Sequence, residues 1–162
     1  MATVFLALGS NVGDSPALIA GAIEMLESQL QGIVRAPLYT SKAVGYTDQP
    51  DFCNTAMRGE TDLPPIALLK FVKDIEQEMG RIHRFRWGPR EIDIDIIYYG
   101  ELLLDTPELT IPHPRAHERD FVLQPIADIA PDFIDPRDNC TVQALLDRLS
   151  ADHTAIQRRL LD

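Results

Sequence analysis

The stretch RFRWGPREIDIDII, residues 84–97, places three arginines and the single tryptophan of the chain ahead of a strand with a carboxylate at every second position. Side chains on a strand alternate between its faces, so Ile92, Ile94 and Ile96 share one side and Glu91, Asp93 and Asp95 the other. The isoleucines are expected to face a core. Same-face neighbours lie about 7 Å apart, where two unit charges repel by roughly 2.4 kcal/mol at an effective dielectric of about 20. A divalent cation about 4 Å from a carboxylate attracts it by on the order of 8 kcal/mol in the same medium, before desolvation is subtracted. Bound metal therefore reverses the balance. Two hard oxygen ligands suit magnesium, which keeps waters and draws other ligands from phosphate. A solvated sheet face looks the same when only the DID triplet is considered. Its neighbours discriminate: Arg81, Arg84, Arg86 and Arg90 crowd one loop, and guanidinium groups are the usual partners of phosphate oxygens. The competing use of these arginines is pairing with Glu91, Asp93 and Asp95 themselves. Trp87 is placed to stack on a flat ring or close over a site, or else to anchor the loop.

Working outward from this strand, the pattern gives the fold. Thr3 to Leu8 reads as a buried strand closed by the turn GSN. Ser15 as cap and Pro16 in the first turn predict a helix with Leu18, Ile19, Ala22, Ile23, Leu26 and Leu30 at helical spacing, ending near Gly32. IVRAPLYTSKAVG (33–45) and CNTAMRGET (53–61) read as two strands of a hairpin joined by YTDQPDF. A second amphipathic helix is expected over Ile66 to Met79, stopped at Gly80. Strand, helix, strand, strand, helix, strand is the split βαβ order of an α+β, ferredoxin-like sandwich, an antiparallel sheet with helices packed on one face. Beyond it, ELLLDTPELTIPHPR reads as short strands, ERDFVLQPIADIAP as a helix broken by Pro125, and Thr141 to Leu149 as a last helix.

The 162 residues fit one domain, 1–162, with ordinary globular composition. A formal charge of -10 argues against nucleic acid as a partner. Two widely spaced cysteines, Cys53 and Cys140, suggest reduced thiols and a cytoplasmic setting. The apolar start MATVFLALGSN lacks a basic leader and breaks at Gly9, so neither a signal peptide nor a membrane span is expected. Neither GxxxxGKS nor GxGxxG occurs, which excludes the common nucleotide-binding loops.

GRIHRFRWGPREIDIDI, together with ALGSNVGD, YTSKAVGYTDQPDFCN and IPHPRAHERDFVLQPI, closely resembles the 6-hydroxymethyl-7,8-dihydropterin pyrophosphokinase family of folate biosynthesis. The resemblance runs in order over nearly the whole chain. It implies a ferredoxin-like fold and transfer of pyrophosphate from MgATP to the pterin hydroxymethyl group, releasing AMP. By the same resemblance Asp93 and Asp95 hold two magnesium ions, Arg81 and Arg90 grip the phosphates, and His113 and Arg119 add donors from the opposite wall. Glu76, Ile96 and Thr110 match positions lining the nucleotide pocket, with Trp87 beside it. Phe52 and Phe121 sandwich the pterin, Asn54 bonds its edge, Ser41 and Val44 supply backbone, and Asp93 also touches it. The loops Ser41 to Phe52 and Arg81 to Arg90 are expected to close over substrates.

Lys42 and Ala43 stand where a proline pair is familiar, and His83, Glu108 and Pro114 also depart from the pattern. The resemblance implies a monomer acting on ATP and the pterin alcohol. A metal-dependent nucleotidyltransferase or phosphohydrolase also needs paired carboxylates, although there the GS and DxD motifs lie close together. A noncatalytic ferredoxin-like sensor would leave the arginine loop unexplained.

Overall fold

In the computed structural model, which describes residues 1–43, 48–81 and 88–149 and the backbone of 156–160, β1 (Ala2–Ser10) is the spine. Its two neighbours both run antiparallel to it: β4 (Phe52–Thr61) on one side and β5 (Asp93–Tyr99) on the other. β3 (Leu38–Ser41) pairs with the first half of β4, and β10 (Ile156–Leu160) pairs in turn with β3. β2 (Gln31–Arg35) pairs with the far half of β4. The path β10-β3-β4-β1-β5 encloses the expected split βαβ order.

The single strand expected over 33–45 is thus two. Pro37 has no N–H to continue the ladder, and the chain steps off there while Thr55 Oγ1 donates to the carbonyls of Ala36 (2.9 Å) and Pro37 (3.1 Å). The last strand, β10, had no counterpart in the sequence reading.

Helix α1 (Ser15–Leu26) begins at the residue expected to cap it. Asp14, not Ser15, caps it, its carboxylate accepting from Ala17 N at 3.3 Å, and Ser15 is the first helical residue with Pro16 behind it. The helix stops at Leu26 rather than near Gly32, because Gln29 and Leu30 N–H both turn back to Leu26 O, freeing the chain to enter β2. Helix α2 (Pro65–Glu78) buries Leu68, Val72 and Ile75 at helical spacing, while Ile66 stays half exposed. Each of those three contributes roughly 1.5–3 kcal/mol of apolar transfer. Both helices pack on the face that carries Val4, Leu6, Leu8, Ile92, Ile94 and Ile96, so the isoleucines of the opening stretch do face a core.

Helices from the tail of the chain cover the opposite face. Helix α3 (Asp120–Ile129) and helix α4 (Val142–Asp147) pack there on Phe5, Ala7, Ala56, Ile97 and Tyr98. Pro125 does not break α3: it lies buried inside the helix, where packing outweighs the one hydrogen bond its ring removes. Two short ribbons connect these parts, β6 (Leu104–Asp105) with β7 (Thr110–Ile111) and β8 (Ile134–Asp135) with β9 (Cys140–Thr141). Among the described residues no helix is long and apolar enough to cross a membrane.

Candidate active site

Three central strands bring the site residues into rows. Asn54, Gly9 and Asp93 are mutual partners across β4, β1 and β5, and Ala56, Ala7 and Asp95 form the next row along the same face. Glycine and alanine in the middle strand leave a hollow that larger side chains would fill. Farther along the same face, Phe5 and Tyr98 fill that space beneath α3. The hollow continues past the start of α3, where Arg119, Phe121 and Val122 wall it. The resulting cavity is about 330 Å³, within the range of small-molecule sites.

Its charged wall is assembled from α2, the loop after it, β5 and the turn at His113. Gly80, at φ +83°, closes α2: its N–H reaches Gln77 O and the next N–H, of Arg81, reaches Glu76 O. That turn directs Arg81 inward. Its guanidinium lies 2.8 Å from Glu76 Oε1 and 3.4 Å from Asp93 Oδ1, while Arg90 Nη1 lies 3.1 Å from Asp93 Oδ2. The alternative use of the arginines is therefore real for two of them: Arg81 and Arg90 pair with Asp93. Glu76 is buried and also accepts from Ile94 N–H at 2.7 Å and from Lys73 at 3.3 Å. It ties α2 to β5.

Asp95 lies in the next row, opposite Ala7. Burial, and then the neighbouring charge of Asp93, push its carboxyl up from 3.8 to about 7. The Asp93 part of this shift is the repulsion expected from same-face carboxylates, and the rise is opposed by Lys73 and Arg119. His113 is pushed down to about 4, by burial first and then by Arg119, so its imidazole is neutral at physiological pH. Its Nδ1 accepts from Arg115 N at 3.2 Å, which leaves the ring proton on Nε2. Arg119 is itself lowered by burial, with Asp95 acting against the shift.

The position of His113 depends on a β-bulge. Phe5 faces Tyr98 but Leu6 faces Ile96, so Ile97 is an extra residue in β5. The carbonyl of Ile97 receives the His113 N–H at 3.0 Å and so draws the turn after β7 onto the site.

The less charged end of the cavity holds Ser41, Lys42, Phe52, Asn54 and Phe121. Asn54 is buried and its amide donates to Ser41 Oγ. A Cβ on Gly9 would approach Asn54 Oδ1 to 3.0 Å and Phe52 Cδ1 to 3.7 Å, so a larger residue here presses on this corner. Arg119 stands 5.5 Å from the centroid of the Phe121 ring, a cation–π contact that joins the apolar and charged ends. Asn11, two residues beyond Gly9, links both flanking loops: it donates to Gln49 Oε1 and Pro50 O, each at 2.9 Å, and accepts from Arg90 N at 2.9 Å.

Of the residues singled out in the sequence, the structure brings Ser41, Phe52, Asn54, Arg81, Arg90, Asp93, Asp95, His113, Arg119 and Phe121 to one cavity. Glu76, Ile96 and Thr110 are placed elsewhere. Glu76 stands behind Arg81, the Ile96 side chain packs in the core under α1 and α2, and the Thr110 hydroxyl faces Asp105 on the β6–β7 ribbon. Val44 and Trp87, with Arg84, Arg86 and His83, lie outside the described residues, as does most of what the two loops would do on closing. Sequence reasoning missed Lys73, whose ammonium reaches the cavity from α2. The available signal was its place three residues before Glu76 on the same helical face.

Paired carboxylates beside convergent cations form the charged end of the cavity, chemistry that could hold phosphate and a metal ion, and an amide and two phenyl rings line the adjoining slot. Among the described residues, no group of three or more His, Cys, Asp and Glu side chains is arranged to hold a metal. Asp93 and Asp95 are the carboxylates that could hold a magnesium ion completing its shell with water and phosphate oxygens.

Comparison with known proteins agrees. Residues 5–131 match the family model described as 7,8-dihydro-6-hydroxymethylpterin-pyrophosphokinase. The chain is 46% identical over 136 residues to the 2-amino-4-hydroxy-6-hydroxymethyldihydropteridine pyrophosphokinase of Aquifex aeolicus, covering 84% of this chain and 85% of that one. It is 38% identical to the Haemophilus influenzae protein of the same name, covering 97% and 98%. A folic acid synthesis protein of Dictyostelium discoideum is 50% identical over 133 residues, 82% of this chain; the match spans only 20% of that longer protein. Among solved structures, a Plasmodium falciparum HPPK-DHPS triple mutant with pteroate has the same fold, with a TM-score of 0.71 at 17% identity over 91% of this chain and 43% of that one. With its site geometry, its fold and a family model matched from β1 to the end of α3, the chain belongs to the 7,8-dihydro-6-hydroxymethylpterin-pyrophosphokinase family.

Proposed function

We propose that this cavity transfers pyrophosphate from magnesium-bound ATP to the hydroxymethyl group of 6-hydroxymethyl-7,8-dihydropterin and releases AMP, within folate biosynthesis. The observation that carries this reading is the row structure of the sheet. Asn54 and Asp93 are placed on either side of Gly9, so a heterocycle against Asn54 has its substituent directed at the carboxylates.

Phe52 and Phe121 offer apolar faces to the pterin, and the Asn54 amide meets its polar edge. Asp93 and Asp95 are the residues that would hold two magnesium ions. Bound there, magnesium neutralises phosphate charge and aligns the attacking hydroxyl with the β-phosphorus. Arg81 and Arg90 exchange Asp93 for phosphate oxygens, and Lys73, Arg119 and the Nε2–H of His113 donate from the remaining sides. In the reaction the pterin hydroxyl oxygen forms a bond to the β-phosphorus and gives up its proton. The bond from that phosphorus to the oxygen bridging to the α-phosphate breaks, and AMP leaves with that oxygen. Positioning and charge stabilisation are the whole of the protein's contribution to such a transfer.

The acting species is proposed to be a monomer, and the two free thiols suit the reducing cytoplasm. The test is product analysis with purified protein. AMP formed only when ATP, magnesium and the pterin alcohol are all present is the expected result. ADP, inorganic phosphate or no turnover would instead favour a phosphohydrolase or a sensor.

A further inference from the structure

We infer that Arg137, on the β8–β9 turn beyond the family-matched segment, is a positioning residue that sets His113 in the active-site wall. The inference rests on the proposed contact between His113 and the ATP phosphates.

The turn is built around a buried carboxylate. Asp135 is fully buried, and its Oδ2 accepts from the Tyr98 hydroxyl at 2.8 Å. Its Oδ1 accepts from the backbone N–H groups of Arg137 at 2.7 Å and Asp138 at 3.2 Å. Its backbone carbonyl takes the Asn139 N–H at 2.8 Å, with Asn139 at φ +55° completing the reversal. A carboxylate so buried is retained only with a full set of donors, and here they fix the root of the Arg137 side chain. The guanidinium then lies over the turn's own acids, Nη2 3.5 Å from Asp135 Oδ2 and Nε 3.7 Å from Asp138 Oδ2. Its remaining arm, Nη1, donates to the main-chain carbonyl of His113 at 3.2 Å.

That carbonyl is a sensitive point. His113 sits between Pro112 and Pro114, neither of which has an N–H, so within 112–114 only His113 can anchor the backbone through a donor. The donor is spent on Ile97 O in the bulge. The His113 carbonyl accepts from Ala116 N at 3.2 Å within its own turn, and Arg137 is its contact from a separate element. Tyr98 follows Ile97 in β5, so the two ends of the clamp share one strand. One runs from Ile97 O to the His113 N–H; the other runs through Tyr98, Asp135 and Arg137 to the His113 carbonyl. A core packed from Phe5, Tyr98 and Phe133, with Phe133 4.8 Å from each of the other two ring centroids, keeps the ribbon and strand in fixed relation. Loss of the guanidinium therefore loosens the imidazole without touching the cavity.

The test is a double-mutant cycle on the full chain with magnesium and α,β-methylene-ATP, an analogue whose scissile bond is blocked, read by calorimetry. Arg137→Met is expected to weaken analogue binding about fivefold and His113→Ala to weaken it at least as much. The double variant should bind no more weakly than His113→Ala alone, and Arg137→Lys, which keeps a donor, should recover part of the loss. In the Met variant the carbon-bound ring protons of His113 should also shift in NMR spectra of the ligand-free protein, which a general loss of stability would not produce. If the Met variant does not fold, Arg137→Gln takes its place in the cycle. Additive losses, a silent Arg137 variant, or a silent His113→Ala beside a weakened Arg137 variant would each overturn the inference. Failure of the wild-type protein to make AMP sinks the proposed function instead, and the cycle stays readable because it measures binding.

Discussion

Asp95 concentrates the conflict between stability and function at the residue scale. Its carboxyl, raised to about 7 by burial and by Asp93, sits where the ionised form is unfavourable, a penalty that the proposed metal ion would offset. Asp95→Asn removes that conflict together with the proposed metal ligand. Turnover should fall by on the order of 10³-fold, the several kcal/mol of charge stabilisation that a bound metal supplies. The AMP assay checks this, and near-normal activity would remove Asp95 from the metal site. The smallest residue in the wall is equally exposed to test. A methyl group on Gly9 meets Asn54 Oδ1 at 3.0 Å, closer than ordinary contact, and Phe52 next. Gly9→Ala should displace that corner at a cost of about 1 kcal/mol, raising the KM for the pterin roughly three- to tenfold while leaving the KM for ATP little changed. Equal effects on both substrates would show that Gly9 does not belong to the pterin end.

Elements rather than single residues decide where the charged loop begins. Gly80 holds φ +83° with nothing within 4 Å of its missing Cβ, so an added methyl meets backbone strain alone. Gly80→Ala should destabilise by about 1–2 kcal/mol and lower the melting temperature by roughly 2–8 °C, with weakened ATP binding because Arg81 follows directly. A melting temperature unchanged within a degree would mean that the turn relaxes freely. This stop was legible in the sequence, as were the helical stripe of α2 and the alternation of β5, because each is a local pattern with one structural solution. The end of α1, the split of β2 from β3 at Pro37 and the continuity of α3 through Pro125 were not. In each of these the local signal admits two outcomes, and contacts with distant strands choose between them. The Ile97 bulge is harder still. It depends on the register between β1 and β5, yet it delivers His113 to the site.

Across the whole molecule, the two helical layers make the sheet's faces unequal: one is filled along its length, and the other ends in a hollow that leaves two titratable groups half out of water. Their linkage to folding has opposite signs. Asp95 is raised from 3.8 to about 7, so between those values the native state keeps a proton that the unfolded chain has lost, and rising pH destabilises. His113 is lowered from 6.5 to about 4, so between those values the unfolded chain holds the extra proton, and rising pH stabilises. The charges that set these shifts are Asp93, Glu76, Lys73 and Arg119 around Asp95, and Arg119, Asp93, Arg137 and Arg115 around His113. The two effects oppose each other from about pH 4 to 6.5, and near 6.5 to 7 only the Asp95 loss remains. Metal-free protein should therefore show a nearly level contribution from this pair up to pH 6.5, then a fall in denaturant midpoint toward pH 7.5. Asp95→Asn should abolish the fall and expose the His113 rise beneath it, turning the level stretch between pH 4.5 and 6.5 into a rise. Millimolar magnesium, by favouring the ionised carboxylate, should flatten the fall in the wild type. Matching profiles for wild type and Asp95→Asn in the presence of chelator would show that burial does not hold this carboxyl protonated, and that the hollow is wetter than its lining implies.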